Sequence, residues 1–493
     1  MTNLDTRLRQ RNVVARLVKA VAVLTVVTAA QLLPQPGDRE VSANGAAPAR
    51  PNVILIITDD QDVETVNYMP RLKALLADQG LTFSNMFIAS PQCCPSHVSF
   101  LTGRYPHNSG VLNNWYPTGG FERFRELGAE RSTLATWLQD AGYRTARFGK
   151  YLTEYEATTY VPPGWSEWYA YYGSGKYFDY TLNENGRQVQ YGSSPADYSG
   201  DVLTRKALDF IDRAGATQPF FILFAPASPH GDNVPNGPAM PAPRHRGMFA
   251  GNLAPRPPSF NELDVLDKPE AISSLPLLTM TQIAAIDGEY RTRLESLQSV
   301  DEAIQQMVNT LAANGILDNT YVIFTSDNGY HLGHHRLRNG KTQVYEEDIR
   351  VPLIVRGPDV PARVTFEHFI VNIDFAPTIA ELAGVRPGHT VDGQSFGELL
   401  TDRPPRAHLW RRDFLIEVYR RLPPLGNGDA VRAVRTFQGE LYAEYESGPI
   451  ELYDLRRDPY QLESLHDVTA TGYLRRLAHR LGELATCAGA TCR

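Results

Sequence analysis

"NVILIITDD", Asn52 to Asp60, is a short, β-rich, continuously apolar run that ends in two aspartates. Such a run, set between amphipathic helices, is the mark of a strand buried on both faces of a largely parallel sheet. Three further runs have the same form. "RTARFG", Arg144 to Gly149, leads into Lys150; "FFILFA", Phe220 to Ala225, leads into Ser228-Pro229-His230; "TYVIFT", Thr320 to Thr325, leads into Ser326-Asp327-Asn328-Gly329. Open α/β sheets bind ligands outside the carboxyl ends of their strands. Four strands therefore deliver acids, an amide, a lysine and a histidine to one sheet edge.

Helical stretches separate these runs: Pro70 to Gln79, Ser132 to Ala141, Asp201 to Arg213, and a long one within Thr281 to Asn314, each closed by glycine or a polar turn. The Pro-, Asn- and Gly-rich segment from Pro226 to about Pro276 is too long for a simple connector and reads as a binding loop or a lid. After Pro405, "AVRTFQGELYAEY", a Gly-Pro turn and "IELYDLRRDPYQLESLHD" read as a hairpin with a closing helix. The expected fold is α/β: a large, mostly parallel central sheet with helices on both faces, plus a small C-terminal antiparallel sheet and helix. The expected division is a signal peptide and linker over 1–46, a catalytic α/β domain over 47–404, and an α+β subdomain over 405–493.

The 493 residues carry a formal charge of −7, which argues against a nucleic-acid partner. At the N-terminus, Arg7, Arg9, Arg11, Arg16 and Lys19 precede an apolar run, Ala20 to Leu33, and a small-residue stretch, "VSANGAAPA". That order is an export signal, and the run is shorter than the roughly 20 apolar residues of a spanning helix. The expectation is a secreted or cell-envelope protein without a membrane span after cleavage; an uncleaved anchor is the alternative. Export permits disulfides, and Cys487 and Cys492 are close enough to close a small loop.

The other two cysteines, Cys93 and Cys94, are adjacent in "PQCCPSHVSFLTGRYPHN". Neighbouring Cα atoms lie about 3.8 Å apart, whereas ordinary disulfides span about 4.4–6.8 Å, so a bridge between them is strained. Pro95 suits the first position of a short helix that ends at Gly103. Cys93 then sits at a helix N-terminus, where an anionic nucleophile or bound anion is favoured, and Cys94 fits a buried packing role. Asp59, Asp60, Asp327 and Asn328 offer hard oxygen ligands that suit calcium or magnesium better than zinc. His331, His334 and His335 raise zinc as a rival, but their spacing lacks a helical frame; loop histidines or substrate contacts are the other readings.

Cys93-Cys94-Pro95-Ser96-His97, followed by Leu101-Thr102-Gly103-Arg104, resembles the signature of the sulfatase family, Cys-x-Pro-Ser-Arg followed by Leu-Thr-Gly-Arg. "FGKYLTEY", "VPPGW", "SPHG", "SDNGYHLG", "GKTQVYEEDIRVPLIVRGP" and "ELYDLRRDPYQLESL" are similar to further blocks of that family, so the resemblance runs from about Pro51 to Leu465. The double cysteine and "GKYLTEY" resemble the branch of N-acetylglucosamine-6-sulfatases and extracellular heparan-sulfate 6-O-endosulfatases.

The resemblance implies that a formylglycine-generating enzyme oxidises Cys93 to formylglycine. One hydroxyl of its hydrate attacks a sulfate ester and the other later expels sulfate, splitting one hard step into two. It further implies that Asp59, Asp60, Asp327, Asn328 and the modified Cys93 hold calcium as a Lewis acid, that Lys150 and Lys341 neutralise sulfate oxygens, and that His230 protonates the leaving alcohol. The expected substrate is a sulfated carbohydrate, with aryl sulfates as artificial ones. Two positions depart from the pattern. His97 stands where the signature has the arginine that helps to hold the formylglycine, and it lacks a guanidinium's fixed charge and planar fork. Leu152 stands where many sulfatases have a histidine, and His331 is a candidate substitute. Two other readings are a phosphate- or phosphonate-ester hydrolase, and a sulfated-glycan binder whose Cys93 is never converted.

Overall fold

In the computed structural model, which describes residues 50–156, 159–173, 175–214, 218–232, 237–420 and 429–493, the four expected strands lie side by side. Their order is Thr320–Ser326, Asn52–Thr58, Phe220–Ala225, Arg144–Gly149, and each neighbouring pair is parallel. Glu167–Tyr171 extends the parallel block, and antiparallel strands flank it: Arg350–Arg356 on one side, Thr181–Glu184 and Arg187–Gln190 on the other. The whole is an 11-stranded sheet. The expected fold class holds, with a parallel centre inside a mixed sheet.

The uninterrupted apolar runs are explained by burial on both faces. Along the first strand, Val53, Leu55 and Ile57 pack against the helix Cys93–Thr102 and its neighbours, while Ile54 and Ile56 face the helices Ser199–Ala214 and Met280–Ala313. Each large apolar side chain buried in these layers contributes about 1.5–3 kcal/mol, so Leu223→Ala at the sheet centre costs about 2–5 kcal/mol. The 34-residue helix Met280–Ala313 starts on a capping box, with Thr279 Oγ1 accepting from the Gln282 amide at 3.3 Å and Gln282 Oε1 accepting from the Thr279 amide at 2.8 Å.

Three local expectations change. The stretch Pro70 to Gln79 is a helix over Pro70–Leu75 and then a tighter turn over Ala77–Gln79. The helix at the double cysteine begins at Cys93, so Pro95 is its third residue; first-turn amides have no intrahelical partner, so proline costs no bond there. The C-terminal hairpin is part of a four-stranded antiparallel sheet, with Asp413–Val418 pairing Val431–Thr436 ahead of Glu440–Tyr445 and Ile450–Asp454. Buried Glu417 interrupts the apolar run of that extra strand and hid it in the sequence.

Helix Thr471–Leu484 closes this sheet, and the Cys487–Cys492 disulfide is formed. The sheet does not stand apart: Phe87, Tyr105 and Tyr345 share its apolar core, and the Glu417 amide donates to the Ala89 carbonyl at 2.8 Å. The expected export segment lies outside the described residues. Among those described, no helix is long and apolar enough to cross a membrane.

Candidate active site

The strand ends are tied to one another. The Asp59 amide donates to the Ser228 carbonyl at 3.1 Å, the Asp327 amide to Thr58 at 3.0 Å, and the Lys150 amide to Ala225 at 2.8 Å. Successive side chains of a strand point to opposite faces. Asp60 escapes that alternation because its backbone is left-handed, φ 69°, which aspartate tolerates better than most residues. Its amide donates to Asp327 Oδ1 at 3.0 Å. Beyond Asp327 and Asn328 the chain passes so close to Glu347 that a Cβ at Gly329 would strike the Glu347 carbonyl, so only glycine fits.

Opposite these ends lies the first turn of helix Cys93–Thr102, which stops at left-handed Gly103, φ 68°. Asn114 Oδ1 accepts from the Cys94 amide at 2.8 Å, and Gln92 donates to the Tyr419 carbonyl at 2.9 Å. Ser96 Oγ donates to the Asp327 carbonyl at 2.5 Å, locking the helix to the strand end. Asp59, Asp60, Cys93 and Asp327 each contribute one ligand atom to a group lying within 4.8 Å, and His230 joins Asp59 and Cys93 in an overlapping group. Asn328 Nδ2 donates to Asp60 Oδ1 at 2.7 Å.

Two lysines enter this acidic cluster. Lys150 Nζ pairs with Asp59 and lies 3.5 Å from Asp327 Oδ2. Lys341 Nζ pairs with Asp60, lies 2.7 Å from Cys93 Sγ and 3.3 Å from Asn328 Oδ1. Burial opposes ionisation of all these groups, and the neighbours decide the outcome. Burial, reinforced by Asp327, pushes Asp59 up to about 6. For Asp60 and Asp327 burial is outweighed, chiefly by Lys341 and Lys150 respectively, and both are held below the ordinary carboxylate value. Both lysines likewise overcome burial through the carboxylates and are held above theirs.

Burial pushes the Cys93 thiol up to about 12 despite the opposing pull of Lys150 and Lys341. Cys94 is a core residue, as expected. His97 is buried, and its Nε2 faces Asp327 Oδ2 at 3.5 Å without hydrogen-bond geometry. Burial pulls its pKa down to about 4 against the pull of Asp327, so at neutral pH it brings no charge to replace an arginine.

His230 Nδ1 is 2.6 Å from the Gly231 carbonyl, which makes Nδ1 the protonated nitrogen and leaves Nε2 facing Asp60 Oδ2 at 3.8 Å. It lines a cavity of about 1020 Å³ together with Asp60, Glu289, Tyr330, Arg338 and Asn339. His331 lies outside the cluster of acids and lysines: its Nδ1 is bound to Asp348 Oδ1 at 2.8 Å, and its strand pairs with Asn339–Gly340, just before Lys341. The three histidines do not form a zinc site among the described residues, since His334 Nδ1 accepts from the Leu332 amide at 3.0 Å and His335 Nδ1 lies 2.6 Å from Glu262 Oε2. Leu152 is core, and so are the aromatic side chains Trp165, Trp168, Tyr171, Tyr177 and Tyr180.

One functional residue had no signal in the sequence. Arg293, in the middle of the long helix, is buried, donates to the Asp60 carbonyl and, at 3.2 Å, to the Pro229 carbonyl, and stacks 3.8 Å from the Tyr330 ring centre. It holds the loops of Asp60 and His230 against each other, whereas an arginine within an amphipathic helix ordinarily reads as surface.

Comparison with known proteins agrees with this arrangement. The sulfatase family profile matches residues 51–385, and a profile described as N-sulphoglucosamine sulphohydrolase, C-terminal, matches residues 333–486. A putative extracellular sulfatase Sulf-1 homolog of Caenorhabditis elegans is 40% identical over 378 residues, which are 74% of this chain and 52% of the relative; the chain thus spans about half the length of that protein. An N-acetylglucosamine-6-sulfatase of Capra hircus is 35% identical over 492 residues, covering 92% of this chain and 86% of the relative. Among solved structures, BT4656 in complex with its substrate D-glucosamine-2-N, 6-O-disulfate is similar with a TM-score of 0.74 and 25% identity, over 88% of this chain and 97% of that one.

Proposed function

The chain belongs to the sulfatase family of sulfuric ester hydrolases, and from that premise we propose that it is an exported enzyme that cleaves a 6-O-sulfate ester on a glucosamine-type sugar. The observation that carries this reading is the convergence of Asp59, Asp60, Cys93 and Asp327 within 4.8 Å, with Lys150 and Lys341 among them. The sugar is taken from the names and bound substrate of the relatives, and export from the basic and apolar N-terminal sequence.

Three carboxylates and the Asn328 amide form a hard-oxygen set fit for a calcium ion. When bound, calcium supplies Lewis-acid polarisation of a sulfate oxygen. A neutral buried thiol is a poor nucleophile, which fits Cys93 as the precursor of a formylglycine whose hydrate supplies the attacking oxygen. The other roles fall to the chain's own side chains. Lys150 and Lys341 bind and neutralise sulfate oxygens. His230 acts as the imidazolium: its Nδ1 proton stays on the Gly231 carbonyl, and its Nε2 proton passes to the departing sugar oxygen, leaving the neutral ring. Asn339 and Glu289 at the cavity wall offer bonds to sugar hydroxyls.

The decisive experiment combines two measurements on protein from its native host. A peptide mass for the segment containing Cys93 is expected to show formylglycine, and the same protein is expected to release sulfate from N-acetylglucosamine-6-sulfate. Converted protein that released no sulfate from any sulfated sugar or aryl ester would falsify the proposal. Unconverted protein that still binds sulfated glycan makes the chain a non-catalytic binder, with His97 as the reason.

A further inference from the structure

Thr342, the residue after Lys341, has φ 79°. A side chain branched at Cβ adopts the left-handed region only when its surroundings impose it. Here the imposing group is Arg420, just beyond the end of the C-terminal strand Asp413–Val418. Its Nη1 donates to Thr342 Oγ1 at 3.0 Å and its Nη2 to the Thr342 carbonyl at 3.2 Å. Among the described residues the buried Nε of Arg420 has no hydrogen-bond partner and both its terminal nitrogens donate to Thr342, so its planar fork is committed to this one residue. On the far side, the Gln343 amide donates to Asp348 Oδ2 at 2.7 Å. Thr342 and Gln343 are thereby fixed from opposite elements, and Lys341, next in the chain, is aimed at Asp60, Cys93 and Asn328.

We propose that Arg420 is a positioning residue of the active site: it clamps Thr342 in the left-handed conformation and so sets the direction of Lys341. The C-terminal sheet then serves the reaction and is more than a structural cap. This inference rests on the reading of Lys341 as a sulfate-binding group, and its test has one arm that needs no turnover.

The test compares Arg420→Met, Thr342→Gly and the double variant in full-length protein with conversion at position 93 verified. Misaiming a catalytic group can cost about 10²-fold, and Arg420→Met is expected to lose kcat/KM on that scale. Glycine takes positive φ at no steric cost but does not enforce it, so Thr342→Gly, with Arg420 still on its carbonyl, is expected to lose less than Arg420→Met, and the double variant to recover part of the loss. In parallel, the rate of reductive methylation of Lys341, read by peptide mass, is expected to rise in Arg420→Met and to return toward wild type in the double variant. A double variant as slow as Arg420→Met, or Lys341 labelling unchanged by Arg420→Met, overturns the clamp. If the wild type releases no sulfate, the functional reading fails and the labelling arm still decides the clamp. If Arg420→Met does not fold, Arg420→Lys replaces it, because an ammonium cannot reproduce the two-pronged bond.

Discussion

Asn328 donates its side-chain amide to Asp60 Oδ1 at 2.7 Å, joining the ends of two adjacent parallel strands. The bond ties Asn328 to Asp60, whose Oδ1 and the Asn328 amide oxygen both face Lys341 Nζ, and Gly329 lets the chain turn away without a clash. The oxygen set is therefore built by the fold before any cation arrives, and binding should show as stability. At a hundredfold excess over its Kd, calcium is expected to stabilise the protein by about 2.7 kcal/mol, read as a rise in Tm that EGTA reverses. Asp327→Asn should abolish most of that rise. A Tm indifferent to calcium and EGTA would remove the ion from the site.

The two lysines share one charge field but face different carboxylates. Lys150→Met and Lys341→Met are each expected to lower kcat/KM by about 10²–10³-fold, the scale for removing one preorganised stabiliser of developing charge. Sulfate-release kinetics check this, and a loss under tenfold in either variant refutes the role assigned to that lysine.

Acid stability turns in part on His335. Burial pulls its pKa from 6.5 down to about 3, with Glu347 pulling the other way and Lys268 and His334 adding to the depression. A histidine depressed in the folded state contributes stability that is complete above 6.5 and is lost as pH falls toward 3. Its partner Glu262, pushed by burial from 4.5 up to about 7, has the opposite sign, losing stability as pH rises through that range. The Tm deficit of His335→Gln against wild type should therefore be largest above pH 6.5 and shrink on acidification. A deficit that grows as pH falls contradicts the assignment.

The C-terminal disulfide fastens the tail to the catalytic body, because the Cys487 carbonyl accepts from Asn108 at 2.8 Å and lies 3.0 Å from His107 Nε2. Closing so small a loop is worth about 2 kcal/mol, and the paired substitution Cys487→Ser with Cys492→Ser should lower Tm by a few degrees. Its effect on kcat/KM should be small, since neither cysteine touches the cluster. A large loss of turnover at unchanged Tm would contradict a purely mechanical role.

What the sequence disclosed, and what it hid, divides along one line. Strand ends were legible because a doubly buried strand is an unbroken apolar run, and the residues soon after each run must then lie at the sheet edge; Asp59, Lys150, His230 and Asp327 follow from that. The turn at Gly103 and the long helix were legible from local chemistry. Arg293 and Arg420 were not, because each acts through bonds to distant segments, two backbone carbonyls for Arg293 and the hydroxyl and carbonyl of Thr342 for Arg420, for which no periodicity or spacing codes. The partner of His331 was hidden too: nothing in "YHLGHHR" announces Asp348, which only the fold brings against it.

Cys93 is 4% exposed, and part of its cover is the amine of Lys341, 248 positions further along the chain. A ribosome adds about 5–20 residues per second, so the cover follows the sulfur by roughly 10–50 s. For that interval the cysteine is part of a nascent chain in which that part of its cover does not yet exist. Any catalyst that must handle this side chain as a substrate has a deadline, set by the distance in sequence between a residue and its lid.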